Sequence, residues 1–540
     1  MTKSKYLLLG ALAAASLSPA AFALTGTTLD NIVGTPDEFF LSGATASDSA
    51  IKSFVKSDLC AAGTYDIYQD IVGSGTTAVK AGNWFTMTCT LNSAAPVPSS
   101  LFGHNVIIHK RTKIGSIYGV YPIALNSYVE FLNVRSDRGS GACVADTAAN
   151  TYNCTVATSP SVLRDVPRHA GNGDECDYQT AAPANPASTG VAITVAAGLD
   201  TLCRRASMGS SDVEAEMFQG VNLTNFTGDN FTKLTSTQLG QLTRSRAFGQ
   251  LFGVAVSNGV WTALQAAQGL TGAPAADGSN WPSLSRDTIR NIVKGNVATW
   301  SAAVAGAGVP STIDQINVCR REQGSGSQAS SNQFFLNYPC DTLLQPAQDN
   351  QATWAAGSPW VKENTSSTFV KACLNESEAG TTNAHVGVPG GGIGVLSFNG
   401  NPGASDTWKW VRINGVVPSM QNSILGLSDF WYETQLAYNK GLAAGPEKDL
   451  VTALIGEMSK ATRITTAAAN GIAAMSFTTG VGAFDSGTNN TAFGSIYTAT
   501  SPVMGGKHGT ASTYPTSGSP LSCRPILLDA DTATAPSRAQ

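Results

Sequence analysis

Four times along this chain a short apolar run gives way to a turn of Gly, Ser and Thr. The four turns lie at 43–49, 115–119, 207–212 and 322–327. Strands and helical stretches alternate along the chain, with small residues where one passes into the other. That pattern belongs to α/β domains on largely parallel sheets. Sheets of this kind gather ligands at the carboxyl ends of their strands, where such turns lie.

The last of the four turns carries the most chemistry. Ile316-Asn317-Val318-Cys319 has the length and apolarity of a buried strand. Arg320 and Arg321 follow, then Glu322-Gln323-Gly324-Ser325-Gly326-Ser327, and a helix begins. Gly324 and Gly326 let backbone N–H groups converge where side chains would intrude. Ser325 and Ser327 add hydroxyls and suit a helix cap. A helix start carries partial positive charge, and an arginine beside it offers a planar fork to an oxyanion. Together these features describe a pocket for a small tetrahedral anion. A flexible Ser/Gly connector with two solvated arginines is the competing reading.

The other turns repeat the geometry. Residues 38–42 form a first strand, 43–49 a small-residue turn, and a helix begins near Ala50, with Asp48 in its first turn. A carboxylate there offsets the helix dipole. Residues 105–120 lead a buried strand into a basic loop containing Gly115-Ser116-Ile117-Tyr118-Gly119. Lys110 and Arg111 read either as a solvated strand end or as positive potential at a cleft mouth. His104 and His109 are five positions apart, face opposite sides of a strand and make a poor metal pair. Residues 207–212 end in an acid, Asp212. Further strands are expected at 65–71, 84–91, 248–256, 393–398 and 429–437, and helices at 261–267, 283–295 and 448–461.

Export is expected. Lys3 and Lys5 precede an apolar run from Tyr6 to Leu17 and the small-residue site Ala21-Phe22-Ala23, the three parts of a secretory signal over 1–23. Its apolar run is too short for a membrane span, and no later stretch is a candidate. The periplasm is the expected destination, with secretion or the cell surface as the alternative. Ten cysteines behind such a signal, with no C-x-x-C, favour disulfides over metal. Near neighbours in sequence suggest Cys143–Cys154, Cys176–Cys203 and Cys60–Cys89, although spacing does not fix connectivity. Residues 135–205, rich in Ala, Thr, Pro and Gly with four cysteines, read as a disulfide-stapled insertion. Charged residues are 13% and the net charge is −4, which argues against nucleic-acid binding.

Set in order, these segments resemble the periplasmic phosphate-binding proteins of ABC transporters, which have the type II periplasmic-binding fold. Gly43-Ala44-Thr45 resembles that family's first loop, Ser210-Ser211-Asp212 its Ala-Ser-Asp turn, and residues 284–300 its helix ending in Gly-Lys-Ile-x-x-Trp. Residues 318–327 resemble its Val-Val-Arg-Arg-Ala-Asp-Gly-Ser-Gly-Thr segment, and Gly392-Ile393-Gly394-Val395 its Gly-Ala-Ile-Gly-Tyr strand. The resemblance implies two lobes: 24–247 (lobe I, with the insertion 135–205), 248–424 (lobe II), and 425–540 returning to lobe I and ending in a tail. It implies that Arg321 forks the oxyanion and that Ser325, Gly326 and Ser327 donate from the helix start. Thr45 and Ala46 would donate from the opposite lobe, Asp212 would brace the arginine, and Ser116 would come from the second loop. Gln323 stands where the family has Asp. An amide accepts through its oxygen but carries no charge to repel fully ionised oxyanions.

Three functions follow from this reading. The first is an exported binding protein for inorganic phosphate or a similar oxyanion, serving an ABC transporter membrane complex, with no cofactor. The second is a non-transport surface or scaffold protein on the same fold. The third, a hydrolase, is disfavoured: the chain has no Gly-x-Ser-x-Gly, no His-Glu-x-x-His and only five histidines.

Overall fold

The computed structural model describes residues 37–72, 79–132, 143–155, 201–223, 231–380, 388–398 and 402–458, apart from short gaps, and a few short strands after 473. The expected signal at 1–23, Cys176, most of the insertion and most of the tail lie outside the described residues.

The first nine strands are β1 (Asp37–Gly43), β2 (Asp66–Val72), β3 (Val79–Thr90), β4 (Asn105–Arg111), β5 (Tyr128–Leu132), β6 (Cys143–Ala145), β7 (Thr151–Thr155), β8 (Thr201–Arg205) and β9 (Met208–Ser211). The next seven are β10 (Leu242–Ser257), β11 (Ser283–Leu284), β12 (Ile316–Arg321), β13 (Trp360–Asn364), β14 (Gly391–Ser397), β15 (Trp408–Ile413) and β16 (Trp431–Asn439). Hydrogen bonding links them in the order β13-β12-β14-β10-β16-β9-β1-β4-β3-β2-β7-β6. The sheet is mixed. It is parallel at β9-β1-β4 and at β13-β12-β14, and antiparallel where these two segments join. The α/β class expected from the strand–turn–helix pattern is the one observed.

The join is made by two long strands. β10 pairs with β16 over residues 242–251, then with β14 and β15 over 252–257. Sixteen extended residues suit this role because Phe252, Val254, Ala255 and Val256 are all buried, on both faces of the strand. The apolar run at 248–256 thus belongs to a longer strand whose first half alternates Arg244 and Arg246 with Thr243, Ser245 and Ala247.

Helices cover the sheet. Those used below are α1 (Asp48–Phe54), α2 (Arg286–Lys294), α3 (Gly326–Leu336), α4 (Ser367–Glu376) and α5 (Pro446–Met458). In α2 the Ser285 hydroxyl accepts from the Thr288 N–H and Gly295 ends the helix in the left-handed region, as the sequence predicts. Ile289 and Ile292, three apart, form its buried stripe. α5 buries Leu450, Val451 and Leu454 in the core cluster that also holds Ile51, Val55 and Leu59.

Disulfides join Cys60 to Cys89 and Cys143 to Cys154, the pairs that neighbouring positions suggest. A third, Cys319–Cys373, ties β12 to α4 and was not foreseen. Cys143–Cys154 closes the β6–β7 hairpin, which extends the sheet beside β2, so this part of the insertion joins the first segment of the sheet. Among the described residues no helix is long and apolar enough to cross a membrane.

Candidate functional site

The carboxyl ends of β1, β4, β9, β12 and β13 converge, and the loops that leave them make one buried cluster. The close approach begins at Gly43, which sits at φ 111°. A Cβ there would collide with the Ser210 carbonyl oxygen and the Gly119 backbone, so only glycine fits. Ala44 N–H donates to that same carbonyl at 2.8 Å. The Ser47 hydroxyl donates to the Ala44 carbonyl and to Ser210 Oγ. The loop is thereby pinned to β9, with Thr45 at its crest and Ala46 buried beside it.

Beneath this loop lies Lys110, fully buried. Its ammonium donates to the carbonyls of Gly43 (3.0 Å), Ala44 (3.3 Å) and Arg111 (3.2 Å) and stands 3.4 Å from Asp48 Oδ1. Burial pushes the lysine down and Asp48 up, and their mutual attraction opposes both shifts. Arg111 is buried as well, with its guanidinium 3.6 Å from the centre of the Tyr118 ring. The solvated-strand-end reading of this pair is therefore corrected. β4 runs parallel to β1 in the interior of the sheet, and its last two residues stay inside because the Thr45 loop and Tyr118 cover them.

Arg321 ends β12 and is 1% exposed. Its Nη1 donates to Thr45 Oγ1 at 3.0 Å and to Ser367 Oγ at 3.4 Å. Its Nη2 donates to the Thr365 carbonyl at 3.0 Å, and its Nε to the Asn364 carbonyl at 3.2 Å. Glu322 Oε1 is 3.8 Å away. The other predicted residues adjoin it. Ser116 Oγ accepts from the Asp212 N–H at 3.0 Å, and Asp212 Oδ2 accepts from Ser327 Oγ at 3.5 Å. Gly326 packs so closely on Ser116 and Asp212 that a Cβ would collide with both. Ser325 is the residue before α3, and its side chain makes no cap hydrogen bond. Ile117 N–H donates to the Gly324 carbonyl at 2.9 Å, joining the second loop to the helix start. Thr45, Ser116, Asp212, Arg321, Ser325, Gly326 and Ser327 thus lie in one neighbourhood, with Ala46 adjoining through Thr45.

The electrostatics are those of a dry site. Burial pushes the Asp212 carboxyl up to about 6, opposed by Arg321 and by the Ser116 hydroxyl. Burial pushes Glu322 further, to about 8, with the Arg321 charge pulling the other way. Asp212 Oδ1 and both Glu322 carboxylate oxygens are buried and make no hydrogen bond. Gln323 Nε2 donates to Gln348 Oε1 at 2.6 Å. Among the described residues no group of three His, Cys, Asp or Glu could hold a metal ion.

Sequence reasoning missed three contributors. The turn after β13 supplies the Thr365 carbonyl and the Ser367 hydroxyl; its signal was the small-residue run Thr365-Ser366-Ser367-Thr368 between Trp360-Val361 and Phe369-Val370. Glu322 sits within the loop and carries no sequence signal of its own. Lys110 gave no clear signal, because a basic residue at a strand end usually reaches solvent.

No family model matches the chain, and no curated protein does. Solved structures with a partial likeness include a phosphate ABC transporter substrate-binding protein from Clostridium perfringens with bound phosphate: 12% identity, 48% of this chain, 77% of that one, TM-score 0.28. An ABC-type phosphate transport receptor from Vibrio cholerae shares 15% identity over 49% of this chain and 79% of its own, with a TM-score of 0.27. A human phosphate-binding apolipoprotein shares 17% over 49% and 72%, also at 0.27.

Proposed function

We propose that this chain is an exported solute-binding protein that captures a tetrahedral oxyanion, phosphate first among them, between two lobes. Residues 24–247 and 425–540 would form one lobe and 248–424 the other, with the periplasm as the site of action and an ABC transporter as the partner. The observation that carries this reading is the buried Arg321 guanidinium beside the hydroxyls of Thr45 and Ser367. A neutral hydroxyl is a weak partner for an arginine in a dry pocket. A charged oxyanion that displaced Thr45 and Ser367 from Nη1 would make shorter, stronger bonds. Asp212 and Ser116 would hold the far side, and the start of α3 would add backbone donors. Binding with release needs no nucleophile, and no enzymatic step is proposed.

A second reading is a structural protein in which Arg321 clasps the two halves. The observation in its favour is that each guanidinium nitrogen already meets protein acceptors. Isothermal titration separates the two. The wild type should bind phosphate at one site, and Arg321→Gln should weaken that binding by roughly a hundredfold, the worth of a buried charge-assisted pair. No heat with phosphate, sulfate, arsenate or molybdate, or an unchanged affinity in the variant, would favour the clasp.

A further inference from the structure

Beside the Arg321 cluster, between the two segments of the sheet, lies a cavity of about 270 Å³. Thr45 and Ser367 line it, and they are the two hydroxyls that accept from Arg321 Nη1. The cavity therefore begins where the guanidinium ends. A five-atom oxyanion fills a small part of it.

The walls are chemically specific. Trp84, Trp408 and Trp410 are among the lining residues, and all three are buried, so they expose little ring surface to it. With them stand the Gln69 amide, the Thr368 hydroxyl and the Asp70 carboxylate, which accepts from the N–H groups of Asn83 and Trp84 at 3.1 and 3.2 Å. Carboxylate, amide and hydroxyl groups are the partners that the O–H groups of a sugar require. Two ammonium groups also line the space: Lys52 lies 4.0 Å from the centre of the Phe85 ring, and Lys371 lies 5.9 Å from that of Trp408. Asp48 and Asp70 also line the space, so groups of both signs are present.

We propose that the ligand is a phosphomonoester of a small sugar, its phosphoryl group on the Arg321 donors and its sugar in this cavity. The inference rests on the oxyanion reading above and narrows it. Free phosphate needs enclosure on every side, whereas an ester needs one side open for its alkylated oxygen. The Thr45–Ser367 side is the open one.

Titration of the purified full chain with inorganic phosphate, ribose 5-phosphate, glucose 6-phosphate and free glucose tests this. At least one ester should bind roughly tenfold or more tighter than phosphate, and free glucose should not bind measurably. Two cavity variants outside the oxyanion cluster, Thr368→Trp to fill the space and Gln69→Ala to remove a partner, should weaken the ester roughly tenfold and leave phosphate within about twofold. Thr368 is exposed and Gln69 half-buried, so neither change burdens the core. Phosphate binding as tightly as both esters, or esters indifferent to both variants, would overturn the inference and leave the oxyanion reading standing. Failure of phosphate and both esters alike would overturn both.

Discussion

At the scale of single residues the site depends on buried charges that hold one another in place. Lys110 is the plainest case. Its ammonium fixes two carbonyls of the Thr45 loop from below, so Lys110→Met should loosen the loop and leave Asp48 without its partner. Breaking a buried pair costs about 3–5 kcal/mol, and the lower end applies because Asp48 keeps partial solvent access. Urea unfolding should show that loss in Lys110→Met and partial recovery in the Lys110→Met/Asp48→Asn double variant. A double variant no more stable than the single would contradict the pairing. Glu322 makes a second prediction. Its folded value of about 8 lies above the ordinary 4.5, so its favourable contribution is complete below about pH 4.5 and fades as pH rises through about 8. Glu322→Gln should flatten the fall in melting temperature between about pH 5 and pH 8 and be the more stable protein at the upper end. Parallel profiles for the two proteins would refute this. Arg321 and Asp212 stand out in the sequence through the family resemblance, whereas local pattern offers only two arginines before a Gly/Ser turn and an acid after small residues. Lys110 was not, because its burial follows from a parallel neighbour, β1, some seventy positions away.

At the scale of elements, each functional side chain is placed by a strand that stops and a turn that cannot shift. β1, α1, β12, α3 and the capped helix α2 all follow from short apolar runs, small-residue turns and Gly stops close to the chain positions read from sequence. The turn after β13 escaped because its strand is only five residues long and follows a stretch of irregular chain from 337 to 359. That turn is held by the Cys319–Cys373 disulfide, which joins the strand carrying Arg321 to the helix carrying Ser367. Replacing both cysteines by alanine should cost about 2–4 kcal/mol of stability and weaken anion binding as Ser367 drifts from Arg321. Thermal unfolding and titration of that variant check both effects. Unchanged affinity in a destabilised protein would show that α4 is positioned without the bond.

At the scale of the whole molecule, two strands carry the chain between the segments of the sheet. β10 and β16 run side by side; on its other edge β10 pairs with β14, and β16 pairs with β9. The Thr45–Arg321 bond spans 276 positions of sequence to meet across that junction. The strands and turns are legible from local pattern, whereas the meeting of Thr45 with Arg321 follows only from the family resemblance, since nothing local in either loop encodes the other. The account's centre is that an oxyanion binds where these loops meet. A crystal structure of the protein grown with arsenate tests it most directly, because the anomalous signal of arsenic locates the anion without ambiguity. The arsenic should lie within hydrogen-bonding reach of Arg321, Thr45 and the start of α3; strong arsenic density elsewhere, with Arg321 still bonded to Thr45, would contradict it.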